Sequence, residues 1–309
     1  MNQSIIRVSG LRKAFKGTEV LKGIDFEVEA GSVFCLLGSN GAGKTTTVRI
    51  LSTLLRANGG TATICGYDVE REAARVRGCI SLTGQYAAVD GLLTGRENLA
   101  LMGKLLHVPN ATRRAQELLA RFELTDAADR RSATYSGGMR RKLDIAMSLL
   151  AAPRVLFLDE PTTGLDPQNR IAMWEEIEKL KADGVTVFLT TQYLEEAERL
   201  ADRVVILDKG VIAAQGTVEE LKSLLPGGAV AFTFADADVE AAALLLSDCP
   251  VKANGDVHTM TVMTDGSVSM LTDLLALLRD AGITPLSMAQ KQPTLEDVFL
   301  VQVGAVKGE

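Results

Sequence analysis

Val33-Phe-Cys-Leu-Leu37 runs directly into Gly38-Ser39-Asn40-Gly41-Ala42-Gly43-Lys44-Thr45, and the fold is decided at that junction. A short, unbroken apolar run suits a strand covered on both faces, as in a parallel sheet. The glycines that follow let consecutive backbone N–H groups turn inward, and a helix predicted over Lys44 to Leu55 adds its N-terminus to the cradle. Strand, glycine-rich turn and helix in this order are the context that makes G-x-x-x-x-G-K-T a phosphate-binding loop. In such a loop Lys44 reaches the β- and γ-phosphates, and the Thr45 hydroxyl helps to hold Mg²⁺. The expected nucleotide-binding set is therefore Gly38, Ser39, Asn40, Gly41, Ala42, Gly43, Lys44, Thr45 and Thr46.

A second apolar strand, Arg154-Val-Leu-Phe-Leu158, ends in Asp159-Glu160. In a parallel sheet that end lies beside the phosphate loop. Asp159 is then placed to hold the metal, and Glu160 to polarise an attacking water. Val185 to Leu189 and Val204 to Leu207 are further continuous apolar runs. A helix predicted from Arg170 to Lys181 lies between strands, with Pro167 near its start and Gly184 after its end. Ile24, Phe26 and Val28 alternate with Asp25 and Glu27, as in a half-solvated antiparallel strand. Together these give an α/β class with a mixed sheet and an antiparallel edge sheet.

Thr94-x-x-Glu97 and Thr217-x-x-Glu220 read as capping boxes that open helices. Residues from about 81 to 133 are expected to form a helical insert, with breaks near Pro109 and Asp126. A domain over 1–225 is expected, and Pro226-Gly227-Gly228 is the linker candidate. Beyond it, 226–309 is expected to be a small α+β, ferredoxin-like accessory domain. Its predicted order is strand 229–234, helix 237–247, strand 251–253, a turn at Asn254-Gly255, strand 257–263, helix 267–281 and strand 283–288.

The chain has 39 acidic against 33 basic residues, and its net charge of -6 argues against non-specific nucleic-acid binding. Cys35, Cys65, Cys79 and Cys249 show no C-x-x-C spacing, and His107 and His258 stand apart, which argues against a His/Cys metal site. Cys35 and Cys79 lie in apolar strand-like runs and read as buried, reduced thiols, as suits a cytosolic protein. The first residues do not read as a signal peptide. The longest apolar stretch, Ile145 to Leu158, is interrupted by Pro153 and Arg154 and is too short to span a bilayer. Any membrane role is therefore expected to come through another subunit.

Tyr135-Ser136-Gly137-Gly138-Met139 precedes a helix predicted from Arg140 to Ala151. Ser136 is a good N-cap. Two glycines behind a cap each cost about 1 kcal/mol relative to Ala, which makes sense if exposed N–H groups must approach an anion. One nucleotide in one chain does not need a second such helix start; the nucleotide of a second copy does.

With the phosphate loop, the Ser-Gly-Gly helix start and the Asp-Glu strand end in this order, the chain resembles the ATP-binding subunits of ATP-binding cassette (ABC) transporters over roughly residues 4 to 222. Ser136, Gly137 and Gly138 match the centre of the family signature Leu-Ser-Gly-Gly-Gln, while Tyr135 and Met139 replace its outer residues. The resemblance implies that Phe15 stacks on adenine, that Gln85 touches Mg²⁺ and senses the membrane subunit, and that Gly164-Leu-Asp166 couples two copies. Where the family usually carries a histidine at the γ-phosphate, this chain has Gln192, which can donate a hydrogen bond but carries no charge. Glu160, Lys44 and Gln192 are thus the catalytic candidates, and Thr45, Gln85 and Asp159 the metal candidates.

The Tyr-Ser-Gly-Gly-Met signature, Gln192 and the tail Gln292-Pro-Thr-Leu-Glu-Asp-Val-Phe299-Leu are similar to daunorubicin/doxorubicin-resistance-type exporters. That resemblance implies an ATP hydrolase that pairs as a homodimer, with ATP and Mg²⁺ as cofactors. It also implies a separate integral-membrane permease, a place on the cytoplasmic face of the cell membrane, and a drug, antibiotic or lipid-like cargo. A soluble ABC ATPase acting on ribosomes or DNA is the alternative, but neither a second cassette nor a long charged coiled coil is present. A kinase or GTPase leaves Ser136 to Gly138 unexplained.

Overall fold

The structure, a computed structural model of the chain, describes residues 4–85, 88–225, 227–246, 251–253, 258–264, 267–291 and 293–304. It divides into two compact units, Met1–Val218 and Glu219–Glu309. The first opens with long strands β1 (Ser4–Phe15) and β2 (Thr18–Glu29), then β3 (Val33–Leu37) and helix α1 (Lys44–Leu51). Next come β4 (Gly59–Ile64), β5 (Tyr67–Asp68), α2 (Ala73–Arg77) and β6 (Ile80–Thr83). Helices α3 (Gly95–Leu105), α4 (Ala111–Arg121) and α5 (Gly137–Ser148) lead to β7 (Val155–Asp159). The unit closes with α6 (Pro167–Ala182), β8 (Thr186–Thr191), α7 (Leu194–Leu200), β9 (Arg203–Asp208) and β10 (Val211–Gly216).

Two sheets make this unit. The antiparallel one has the order β2-β1-β4-β5, and the six-stranded one β10-β9-β3-β8-β7-β6. The six-stranded sheet is mixed: its strands run parallel except β10, which pairs antiparallel with β9 at the edge. Every residue of β3, β7 and β8 is buried, as unbroken apolar runs require. In β2 the side chains of Ile24, Phe26 and Val28 point inward and Asp25 and Glu27 outward. Phe34, Phe188 and Phe157 form a rung across β3, β8 and β7, with centroids 5.0 and 5.2 Å apart, and Phe26 of the other sheet stacks on Phe34 at 5.1 Å. One apolar layer lies between the two sheets, and the opposite face of β3, β7 and β8 is buried as well.

Several boundaries differ from the expectation. Helix α1 ends at Leu51 rather than Leu55, because Thr53 turns left-handed (φ 65°) and Leu54 and Leu55 donate back to Arg49 O. The insert is helical only from Gly95: residues 81–83 belong to β6, which pairs in parallel with β7. The breaks fall between α3 and α4, around Pro109, and at a short 3₁₀ turn over Thr125–Ala127. Thr94 makes the full capping box with Glu97. Helix α5 begins at Gly137, not Arg140, because Ser136 caps it by accepting from Met139 N–H. Cys35 is buried, but Cys79, at the sheet edge, is only half-buried; Cys249 lies outside the described residues.

Helix α8 (Val218–Lys222) crosses the division between the units, several residues before the expected linker. Pro226 lies outside the described residues, while Gly228 O accepts from both Thr264 N and Oγ1. The second unit contains β11 (Ala229–Thr233), α9 (Val239–Leu245), β12 (Val251–Ala253), β13 (Thr259–Met263), α10 (Val268–Asp280), β14 (Ser287–Lys291) and α11 (Leu295–Gly304). Its sheet has the order β12-β13-β11-β14, antiparallel throughout. Val230, Phe232 and Val262 of one face pack with Ala242, Leu246, Leu274 and Leu278 of the helical segments. The last strand is 287–291 rather than 283–288: Ile283 is drawn into that core and Pro285 delays pairing until beyond it. The expected Asn254-Gly255 turn lies outside the described residues. Among the described residues no helix is long and apolar enough to cross a membrane.

Candidate functional site

The C-terminal ends of β3, β7 and β8 are neighbours in the parallel part of the mixed sheet, and the candidate residues hang from them. Gly38 leaves β3 through an N–H···O=C bond to Thr191 (3.2 Å). A Cβ at Gly38 would stand 2.4 Å from Leu207 O, so only glycine fits there. Gly43, at φ 114°, is the N-cap of α1 and supplies no side chain to cap it. The first N–H groups of that helix therefore lack a protein cap, the arrangement that favours an anion.

Lys44 is buried, and its Nζ donates to Gly38 O (2.8 Å) and Ser39 O (3.2 Å) across the loop. The same Nζ lies 3.3 Å from Glu160 Oε1. Thr45 Oγ1 donates to Asp159 Oδ1 at 3.4 Å. Thr190 of the next strand meets both acidic residues: its Oγ1 donates to the Asp159 carboxylate, while the Glu160 backbone N–H points at Thr190 O and Oγ1, each at 3.1 Å. Glu160 itself has φ 49°, a left-handed conformation that costs energy outside glycine and is characteristic of working sites. Its Oε2 accepts from Gln85 Nε2 (3.4 Å) and Thr163 Oγ1 (3.3 Å).

Lys44, Thr45, Asp159, Glu160 and Gln85 are thus brought together. Gln192 directly follows β8, and its amide makes no hydrogen bond to Lys44 or Glu160 among the described residues. Phe15 stands at the end of β1, 44% exposed, with Lys13 Nζ 5.1 Å from its ring centroid. Ser136 and Gly137 are exposed at the start of α5 and Gly138 is buried. Asp166 caps α6 by accepting from Asn169 N–H at 3.0 Å.

Sequence reasoning missed Thr190 and Thr163, although a hydroxyl beside Asp159 in the register of β8 was a usable signal. It also missed Arg141 and Asp144, a buried pair on α5. Burial draws the Arg141 guanidinium below its usual range and pushes the Asp144 carboxyl above its own.

The site fits Mg²⁺ and a triphosphate by its own chemistry. Thr45 and Asp159 offer hard oxygen donors a hydrogen bond apart, and the uncapped, glycine-turned helix start with a buried ammonium suits phosphate.

Comparison with known proteins agrees. Residues 21–163 match the family model described as ABC transporter. The chain is 46% identical over 311 residues to the daunorubicin resistance ATP-binding protein DrrA2 of Streptomyces coeruleorubidus, covering 98% of this chain and 96% of that one. It is 46% identical to the daunorubicin/doxorubicin resistance ATP-binding protein DrrA of Streptomyces peucetius, over 97% of this chain and 92% of the relative. A solved structure, that of the ATP binding subunit of an ABC transporter, superposes with a TM-score of 0.65 at 30% identity, covering 72% of this chain and 93% of that one. The phosphate loop, the acid-tipped strand and the Ser-Gly-Gly helix start therefore belong together for a reason of descent as well as chemistry: this chain is a member of the ABC transporter family, in the group of daunorubicin/doxorubicin-resistance-type ATP-binding subunits.

Proposed function

We propose that this ABC ATPase powers export of a drug, antibiotic or lipid-like compound, working as a pair of copies against a separate integral-membrane permease at the cytoplasmic face. The observation that carries the proposal is the contact of Lys44 Nζ, 3.3 Å from Glu160 Oε1, at the foot of an uncapped helix. The exporter reading is supported by the near full-length likeness to two daunorubicin-resistance ATP-binding proteins.

In this reading the N–H groups from Gly38 to Thr46 and the Lys44 ammonium bind the phosphates, and Phe15 stacks on adenine. Thr45 and Asp159, with Gln85, hold Mg²⁺, which when bound neutralises charge on the phosphates. Glu160, fixed by Thr190, Thr163 and Gln85, takes the proton of an attacking water. Gln192 donates a hydrogen bond to the γ-phosphate. Ser136, Gly137 and Gly138 face the nucleotide of the second copy. Because ATP bridges both copies and ADP does not, hydrolysis opens the pair.

A cleft of about 310 Å³ beside β6 supports docking of the permease: Leu54, Leu82, Met102, Leu106 and Met147 give it an apolar lining. Residues 226–309, with their β-α-β-β-α-β order and antiparallel register, are read as a ferredoxin-like accessory domain.

The test is phosphate release by the full chain with Mg²⁺–ATP, alone and with its permease. Glu160→Gln is expected to lower turnover by about 10²–10⁴-fold while ATP stays bound and the protein elutes as a dimer. Undiminished turnover in that variant would refute the assignment.

A further inference from the structure

Arg141 and Asp144 stand on α5, just beyond the exposed start at Ser136 and Gly137, and both are buried. Arg141 Nη1 donates to Gly84 O at 2.6 Å, and its Nε donates to Pro161 O at 3.0 Å. Gly84 immediately precedes Gln85, and Pro161 immediately follows Glu160. One guanidinium therefore grips the backbone beside each partner of the Gln85–Glu160 hydrogen bond. Arg141 Nη1 also lies 3.3 Å from Asp144 Oδ2, and Asp144 Oδ1 accepts from Ala88 N–H at 3.0 Å. A further turn along, Ser148 Oγ is 2.7 Å from Thr83 Oγ1. Residues at i, i+3 and i+7 of one helix face thus hold the chain on both sides of Gln85.

Stability is a poor explanation for this cluster. Arg141 Nη2 has no hydrogen-bond partner among the described residues, and desolvation weighs on both charges. Buried ion pairs of this kind add little over well-packed apolar groups. What the cluster supplies is position.

We propose that Arg141 is a positioning residue that makes hydrolysis by this chain depend on where the start of its own α5 helix sits. The inference rests on the reading of Gln85, Glu160 and Ser136 to Gly138 given above. When the helix start is seated against the nucleotide of a second copy, the two carbonyls beside Gln85 and Glu160 are carried with it. Misplacement by about 1 Å in such a relay is enough to cost about 10²-fold in rate. Asp144 lines the cleft beside β6, so a partner seated there presses on the same relay.

The experiment compares Arg141→Met, Arg141→Lys and the parent as full-length proteins. Lysine keeps the charge but offers a point donor that cannot fork between two carbonyls. Steady-state ATPase is followed against ATP concentration, with thermal unfolding in parallel and ATP retention measured in the Glu160→Gln background. The expected result is a kcat lower by about 10–100-fold in Arg141→Met and by at least about fivefold in Arg141→Lys, with KM within about threefold and ATP still retained. Parental kcat in Arg141→Lys, or a loss confined to KM, overturns the proposal. If Arg141→Met does not fold, Arg141→Lys decides alone. Undiminished turnover in the Glu160→Gln single variant would instead sink the site assignment itself, and this proposal with it.

Discussion

The side-chain oxygen of Asn169 lies 2.1 Å from where a Cβ on Gly138 would stand, with its Cγ at 2.6 Å. Asn169 is held there by Asp166, which accepts from both its backbone N–H and its amide. Glycine at 138 is therefore required by the close approach of two helix starts, since its own φ is not left-handed. Gly138→Ala would gain about 1 kcal/mol of helix propensity but must displace Asn169. A net destabilisation of about 1–3 kcal/mol is expected, read from urea midpoints, with Asn169→Ala in the same chain recovering most of it. A raised midpoint for Gly138→Ala alone would contradict the contact.

Gln192 leaves β8 just after Thr191, whose Oγ1 fixes the next turn by accepting from Tyr193 N–H at 3.0 Å. Gln192→His is expected to keep turnover within about tenfold of the parent. Its pH profile should gain a limb near about pH 6.5 that the parent lacks, because imidazole titrates there and an amide does not. Complete loss of activity would show that Gln192 does not face the γ-phosphate.

Glu196 is fully buried, with Trp174 Nε1 donating to it at 3.1 Å, and burial pushes its carboxyl above the usual range. A raised folded pKa means that the native state holds this proton more tightly than the unfolded chain does. Stability is then lost as pH rises from the ordinary carboxylate range toward the raised value. Glu196→Gln keeps an acceptor for Trp174 and has no proton to lose. Its gain over the parent should be larger at about pH 8 than at about pH 5, by denaturant midpoint. Equal gains at both would disprove the burial effect.

Tyr135 takes the place of the leucine usual in the signature, and its hydroxyl donates to Ala127 O at 2.6 Å. A Cβ at Gly95 would meet that hydroxyl at 2.4 Å, so the two positions fit as a pair. Tyr135→Phe removes one of two bonds to the Ala127 carbonyl, which still accepts from Arg130 N–H at 3.0 Å, and should cost about 0.5–1.5 kcal/mol in urea denaturation. Its kcat should stay at the parental value; a fall in kcat with unchanged stability would give the hydroxyl a different role.

The phosphate-loop end of the candidate site was legible because its pattern is local: an apolar run, a glycine turn and a lysine are adjacent in the chain from Val33 to Lys44. Strand β2 announced itself by alternation. Strand β1 did not, since its register against β2 shifts between Val8 and Leu11, Leu11 and Arg12, and Lys13 and Ala14, and each shift erases the period-two pattern. Arg141 looks like any surface helix charge until α5 is laid beside Gly84, 57 residues away. The last strand starts later than the predicted 283–288, because Ile283 packs into the core with Leu274 and Leu278 rather than pairing. Helix α11 was missed although Thr294 and Asp297 bond reciprocally at its start, a capping pattern written with aspartate instead of glutamate.

Thr190 meets both acids of the site, one through its hydroxyl and the other through hydroxyl and carbonyl together. A single threonine thus acts as a common hinge pin, so that breathing of β8 carries the Asp159 carboxylate and the Glu160 backbone together. Where the Glu160 carboxylate points is left to Lys44, Gln85 and Thr163, which reach it from outside β8.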